Sequence, residues 1–147
     1  MESQSKNISI KGIDHVGILV HNIEEHIPYY RDILQLPFLG IKTHESQKIK
    51  TAIFQVGDPN QSHNSFLEVF EPLDETSPVY NYLMKKGEGI HHLCFGVTDI
   101  QQALDHVAEE GIKLIHKEPF IGVKGTKVAF LHPKSTGKVL TEFAEIE

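Results

Sequence analysis

The sequence predicts an α+β fold in which two βαβββ modules pair to form a cupped mixed β-sheet with its helices outside. The 147 residues match one domain of ordinary size. An internal repeat divides the chain, and each half alternates strand-like with helix-like stretches. We therefore expect one domain over residues 1–147, with module one at about 8–73, a connecting helix at about 77–87 and module two at about 88–147.

Composition and charge exclude several classes of protein. Hydrophobic residues make up 39% of the chain and charged residues 23%, as in globular rather than disordered proteins. The net charge of −6 and the lack of a basic stripe argue against a nucleic-acid partner. A single cysteine and a start without an apolar secretory region predict a cytoplasmic location. No apolar run approaches the roughly 18 residues that cross a bilayer, so no membrane partner is expected.

The repeat is visible at the start of each half. Residues 13–23 align with residues 90–100 at an offset of 77 positions. Both stretches alternate as strands do and then reach a helix-capping residue, Asn22 or Asp99, with Glu or Gln three positions later. Each half is therefore predicted to begin with a strand that leads into a helix.

Local signals predict the remaining elements. Pro28 interrupts the stripe of the first helix and is expected to kink it, while Gly111 is expected to follow the end of the second. Ser77 and Pro78 predict the start of the connecting helix. We expect a loose tail at residues 1–7. Further strands are predicted at residues 51–56, 66–71, 127–131 and 139–145.

The repeat brings metal-binding residue types to matching positions. His15 corresponds to His92 in the first strands, and Glu68 corresponds to Glu142 in later strands at an offset of 74 positions. Because side chains alternate across a strand, all four are expected on the concave face of the sheet. Burying them singly would be costly, whereas two neutral imidazoles and two carboxylates around one divalent cation leave the site formally neutral.

The set of donor atoms predicts the kind of ion and its role. Two nitrogen and two oxygen donors without a thiolate favour Co²⁺, Mn²⁺, Ni²⁺, Fe²⁺ or Zn²⁺. A six-coordinate ion would keep two positions for a chelating substrate, which predicts a catalytic site.

A single histidine on an apolar strand is more often a core residue, and a register slip would turn a glutamate away. The symmetry of four residues favours the metal. Six other histidines are expected in loops or on helix surfaces, namely His21, His26, His44, His63, His106 and His116. His91 is expected to point to the packing face of its strand, and Cys94 is expected to fill space.

Several motifs between residues 12 and 145 carry a family resemblance. They are I-D-H-V-G-I at 13–18, F-L-E-V-F-E-P-L at 66–73, K-K-G-E-G-I-H-H at 85–92 and K-V-A-F-L-H-P-K-S-T-G at 127–137. Together they resemble the vicinal oxygen chelate (glyoxalase/bleomycin resistance) superfamily and, within it, the methylmalonyl-CoA epimerases. The resemblance implies the paired βαβββ fold and a metal site formed by His15, Glu68, His92 and Glu142.

The resemblance also implies a reaction. It implies metal-dependent interconversion of (R)- and (S)-methylmalonyl-CoA, an acyl-CoA thioester, through removal and return of the α-proton, and a homodimer by analogy. Inversion needs two acid–base groups. Some epimerases carry a glutamate at the position of Thr51, so here either Glu68 or Glu142 replaces it or the substrate differs. Candidates for binding CoA phosphates are Lys124, Lys127, Lys134 and Lys138.

Two alternatives stay open. A similar metal site is found in glyoxalase I-type lactoylglutathione lyases, which isomerise the hemithioacetal of a 2-oxoaldehyde. Some members of the superfamily are instead metal-free resistance proteins that sequester their ligand. Metal analysis separates the last class, since a sequestering protein should purify without a stoichiometric divalent ion.

Overall fold

The computed structural model describes residues 8–58, 60–61 and 64–146, and it divides them into two compact units. The first unit is His15–His91. The second unit comprises the described residues before His15 together with residues 92–146. The tail expected at residues 1–7 and the loop histidine expected at His63 lie outside the described residues. One domain over the whole chain stays a prediction.

The first unit contains most of the predicted βαβββ module and the connecting helix. Strand β1 begins before this unit, pairs with β4 in parallel, and β4 and β2 flank β3 in antiparallel pairs. A π-helical turn, Tyr29–Ile33, follows the first helix. The elements are β1 (Ile10–Leu19), α1 (Ile23–Pro28), β2 (Phe38–His44), β3 (Ile49–Val56), β4 (Ser65–Pro72) and α2 (Tyr80–Lys86).

The second unit repeats the same arrangement. Strand β5, which begins in the first unit, pairs with β8 in parallel, and β8 and β6 flank β7 in antiparallel pairs. The elements are β5 (Gly89–Val97), α3 (Ile100–Glu109), β6 (Phe120–Ile121), β7 (Lys127–Leu131), a 3₁₀ turn (Pro133–Ser135) and β8 (Thr141–Glu145). The predicted α+β fold with two βαβββ modules and mixed strand pairing is therefore confirmed.

Matching capping residues start α1 and α3, the helices that follow the first strand of each module. The Asn22 side chain accepts a hydrogen bond from the Glu24 N–H at 2.9 Å, and Asp99 accepts one from the Gln102 N–H at 3.0 Å. Each bond satisfies an amide that has no partner inside the helix. Gly111 follows the end of α3 with a φ of +97°, a left-handed conformation that glycine adopts without strain. These predictions from the sequence are confirmed.

Two helices differ from the predictions, whereas the predicted strand ends shift by at most two residues. The first helix changes to a π-helical turn after Pro28, because proline cannot donate the next helical hydrogen bond. The connecting helix begins at Tyr80 rather than at Ser77. Ser77 instead closes a turn, in which its carbonyl accepts from the Tyr80 N–H at 3.0 Å. Ser77 was therefore wrongly predicted as the helix cap, although it does organise the turn before the helix.

In each unit, the helix of the βαβββ module packs over one face of the strands. In the first unit, Ile23 of α1 packs with Ala52, Phe54 and Val69. In the second unit, α3 packs on Val97, Ala129, Leu131 and Phe143. Strand alternation then turns the intervening side chains of each unit to the face away from the helix. Within the described residues, no helix is both long and apolar enough to span a membrane.

Candidate metal centre

His15 and Glu68 form a buried pair in the first unit. Ile18 of β1 and Val69 of β4 pack beneath α1, so alternation turns His15 and Glu68 to the other face. The His15 Nδ1 lies 3.3 Å from the Glu68 Oε2. The two residues are only 3% and 6% exposed. The parallel pairing of β1 with β4 thus joins two residues that are far apart in the sequence.

His92 and Glu142 form the corresponding pair in the second unit. They lie on β5 and β8, which are again parallel neighbours. The His92 Nε2 lies 3.2 Å from the Glu142 Oε1, and both residues are buried. The rings of His92 and Phe130 pack in a T-shaped arrangement with their centroids 5.3 Å apart, and Phe130 lies opposite Glu142 in the strand register. The repeat predicted from the sequence therefore places one imidazole and one carboxylate together in each unit.

The chemistry of each pair fits a divalent cation. A buried carboxylate beside a neutral imidazole carries one net negative charge, and burying such a charge is costly unless a cation compensates for it. Imidazole nitrogen and carboxylate oxygen are ligands of Zn²⁺, Co²⁺, Mn²⁺, Fe²⁺ and Ni²⁺. Each unit can thus supply one nitrogen and one oxygen donor to an ion.

His116 lies in an irregular segment before β6, as expected, and its ring packs on the same face of the second unit as Glu142. Its Nδ1 accepts a hydrogen bond from the Phe130 N–H at 3.1 Å, and its ring packs on Phe120 at 4.7 Å. Burial lowers the pKa of His116, and the charge of Glu142 partly offsets this effect. The bond at Nδ1 leaves the proton of the neutral ring on Nε2. No periodicity or motif marked this residue, because it precedes β6 in an irregular segment.

Lys124, which was a candidate for binding CoA phosphates, forms an ion pair with a residue of the protein itself. Its Nζ lies 2.8 Å from Asp14 Oδ2, and the two side chains are 19% and 7% exposed. The ion pair ties the loop between β6 and β7 to β1. The remaining lysines of that prediction are exposed, namely Lys127, Lys134 and Lys138.

Comparisons with known proteins place the chain in a family. A model of the Glyoxalase/Bleomycin resistance protein/Dioxygenase superfamily matches residues 14–130. The uncharacterized protein YqjC of Bacillus subtilis is 38% identical over 133 residues, which cover 90% of this chain and 91% of that protein. The ethylmalonyl-CoA/methylmalonyl-CoA epimerase of Cereibacter sphaeroides is 35% identical over 136 residues, which cover 91% of this chain and 97% of that protein.

A solved structure agrees with these relatives. A methylmalonyl-CoA epimerase in complex with methylmalonyl-CoA and NH₄⁺ superposes with a TM-score of 0.87 at 32% identity, covering 93% of this chain and 95% of that one. The resemblance found in the sequence motifs is thereby confirmed, and relatives that are epimerases support an epimerase here. The chain belongs to the glyoxalase/bleomycin resistance protein/dioxygenase superfamily.

Proposed function

We propose that this chain is a metal-dependent epimerase that interconverts (R)- and (S)-methylmalonyl-CoA. The observation that carries the proposal is the pair of buried His–Glu contacts, one at each matching position of the repeat. Relatives named as methylmalonyl-CoA epimerases support the choice of substrate. The cytoplasmic location and the homodimer expected from the sequence and the family belong to the same proposal.

The metal part of the proposal assigns one divalent ion to all four side chains. Two imidazoles and two carboxylates would balance the charge of the ion, which neither pair can do alone. When bound, the ion supplies a Lewis acid for the oxygen of the enolate formed from the thioester. The ligands of this ion are His15, Glu68, His92 and Glu142.

The proton transfers are assigned to the two glutamates. Inversion at a carbon requires one group that removes the proton and another that returns a proton on the opposite side. Glu68 and Glu142 are carboxylates from different modules, and both are buried. Burial keeps bulk water away from the reacting carbon, so the returning proton comes from a positioned side chain. This assigns each glutamate a second role beside metal binding.

The direct test is deuterium exchange at the α-carbon. One epimer of methylmalonyl-CoA is incubated with metal-loaded protein in D₂O, and exchange and epimerisation are followed by NMR and chiral analysis. We expect both for the wild type, and a loss of about 10²-fold or more in Glu68→Gln and Glu142→Gln, because an amide cannot accept the proton.

Three outcomes would contradict the proposal. If wild-type protein loaded with each ion shows no exchange, the epimerase assignment fails. Turnover of methylglyoxal with a thiol would indicate a lactoylglutathione lyase instead. Tight ligand binding by protein that purifies without a divalent ion would indicate a sequestering protein.

A further inference from the structure

Thr51 in β3 carries a buried hydroxyl group that the fold itself does not use. The residue is 1% exposed, and its Oγ1 has no hydrogen-bond partner among the residues that the structure describes. Burying an unpaired hydroxyl destabilises a protein relative to an apolar group of the same shape, and valine has that shape. A ligand that supplies the missing partner would account for the hydroxyl.

The position of Thr51 indicates where this ligand would lie. Ala52 and Phe54 of the same strand pack beneath α1, so alternation turns Thr51 to the opposite face. In the register of β3 with β4, Thr51 lies opposite Phe70, and Glu68 is two positions further along β4. Such diagonal neighbours on one face of a sheet are about 7–8 Å apart. Thr51 is thus a neighbour of the His15–Glu68 pair.

The chemistry of a threonine hydroxyl limits its role. It does not ionise near neutral pH, so it cannot serve as the base that removes a proton. It can donate one hydrogen bond, and bonds to an ionised acceptor are the stronger ones. The substrate of the proposed reaction carries a free carboxylate beside its thioester, and a carboxylate has two acceptor oxygens.

We propose that the Thr51 hydroxyl donates a hydrogen bond to the free carboxylate of the substrate. Thr51 is then a substrate-binding residue that selects malonyl-type thioesters over simple acyl thioesters such as propionyl-CoA. The inference rests on the proposed function, since the carboxylate is a part of that substrate.

Three variants test this inference. Thr51→Val removes the hydroxyl and keeps the shape, and Thr51→Ser keeps the hydroxyl. Thr141→Val is a matched control, because Thr141 is also buried but its Oγ1 donates to the Val139 carbonyl at 3.0 Å. The melting temperature of metal-loaded protein without substrate, the kinetic constants, and the affinities for methylmalonyl-CoA and propionyl-CoA are measured for each.

The expected results separate a ligand contact from a structural one. Without substrate, Thr51→Val should melt at the wild-type temperature or above it, whereas Thr141→Val should melt below it. Thr51→Val should lose about tenfold or more in kcat/KM and in its preference for methylmalonyl-CoA over propionyl-CoA. Thr51→Ser should retain most of both.

Two results would overturn the inference in distinguishable ways. If Thr51→Val melts below the wild type and keeps its kinetic constants and preference, the hydroxyl is a structural group and only this inference fails. If the wild type itself neither binds nor epimerises methylmalonyl-CoA, the proposed function fails, and the carboxylate contact fails with it.

Discussion

At the scale of single residues, buried ionisable groups are the candidate ligands of each unit. Glu68 and Glu142 are each buried beside an imidazole on the face that lies away from the helix. His116 adds a neutral ring that is fixed by a backbone hydrogen bond. These groups are costly to bury, so they are expected to affect stability as well as binding.

His116 should make the stability of the protein depend on pH. Its pKa is lowered in the folded state by burial, while in the unfolded state it stays near the ordinary value of 6.5. The unfolded state therefore binds a proton first as the pH falls. The stabilisation that comes from His116 is therefore fully present above about pH 6.5, and it is lost as the pH falls toward the pKa of His116 in the folded state. We expect His116→Gln to show a flatter dependence between pH 7.5 and about 5.5, as measured by urea unfolding with a chelator present.

The exposed His21 offers a control for this measurement. His21→Gln should leave the pH dependence close to that of the wild type. Carboxylates whose pKa is lowered change the free energy of unfolding at more acidic pH. The pKa of Glu88, for example, is lowered mainly by the hydrogen bond from the His21 N–H. If the free energy of unfolding of His116→Gln has the same pH slope as that of the wild type between pH 7.5 and about 5.5, burial does not lower the pKa of His116 in the folded state.

At the scale of elements, α1 and α3 are each held at their start by a glutamate from the last strand of their own module. The Ile23 N–H donates to the Glu71 carboxylate at 2.8 Å, and the Ile100 N–H donates to Glu145 at 3.2 Å. The carboxylate satisfies a free amide and also interacts favourably with the positive end of the helix dipole. The repeat thus preserves a contact between a helix and a strand, in addition to the His–Glu pairs.

Removal of the Glu71 contact should destabilise the first module measurably. We expect Glu71→Ala to lower the free energy of unfolding by about 1–2 kcal/mol, because the helix loses a charge-assisted hydrogen bond. Glu71→Gln should lose less, since its amide oxygen still accepts. The exposed Glu75 provides the control Glu75→Ala, and equal effects of Glu71→Ala and Glu75→Ala in urea unfolding would contradict this role.

The elements that could be predicted are those with local signals. Asn22 and Asp99 were recognisable as caps because a cap contacts residues two or three positions away. The Glu71 and Glu145 contacts join residues 48 and 45 positions apart, so only the strand pairing reveals them. The start of α2 was misplaced because Ser77 has the chemistry of a helix cap but closes a separate turn.

At the scale of the whole molecule, duplication made the candidate site predictable. Strand alternation and the repeat identified the four side chains and the face on which each lies, because these depend on regular strands with a fixed period. The contact of each histidine with the glutamate of its own module was not predicted. His116, Thr51 and the Asp14–Lys124 ion pair were not predicted in these roles. These roles depend on the conformation of loops and on which residues cover each side chain. No periodic pattern in the sequence indicates either property.

The proposed function depends on one divalent ion that the two His–Glu pairs share, and the metal content of the protein tests this dependence. Purified protein is loaded with Co²⁺, Zn²⁺ or Mn²⁺, dialysed, and analysed for bound metal by mass spectrometry, next to His15→Ala, His92→Ala and the control His44→Ala. We expect one ion per chain in the wild type and in the control. In both His15→Ala and His92→Ala, we expect metal binding to be weaker by at least about 100-fold and the circular dichroism spectrum to show that the fold is retained. A single shared ion would be contradicted by two ions per chain with one lost in each variant. Full metal binding by either variant would contradict it as well.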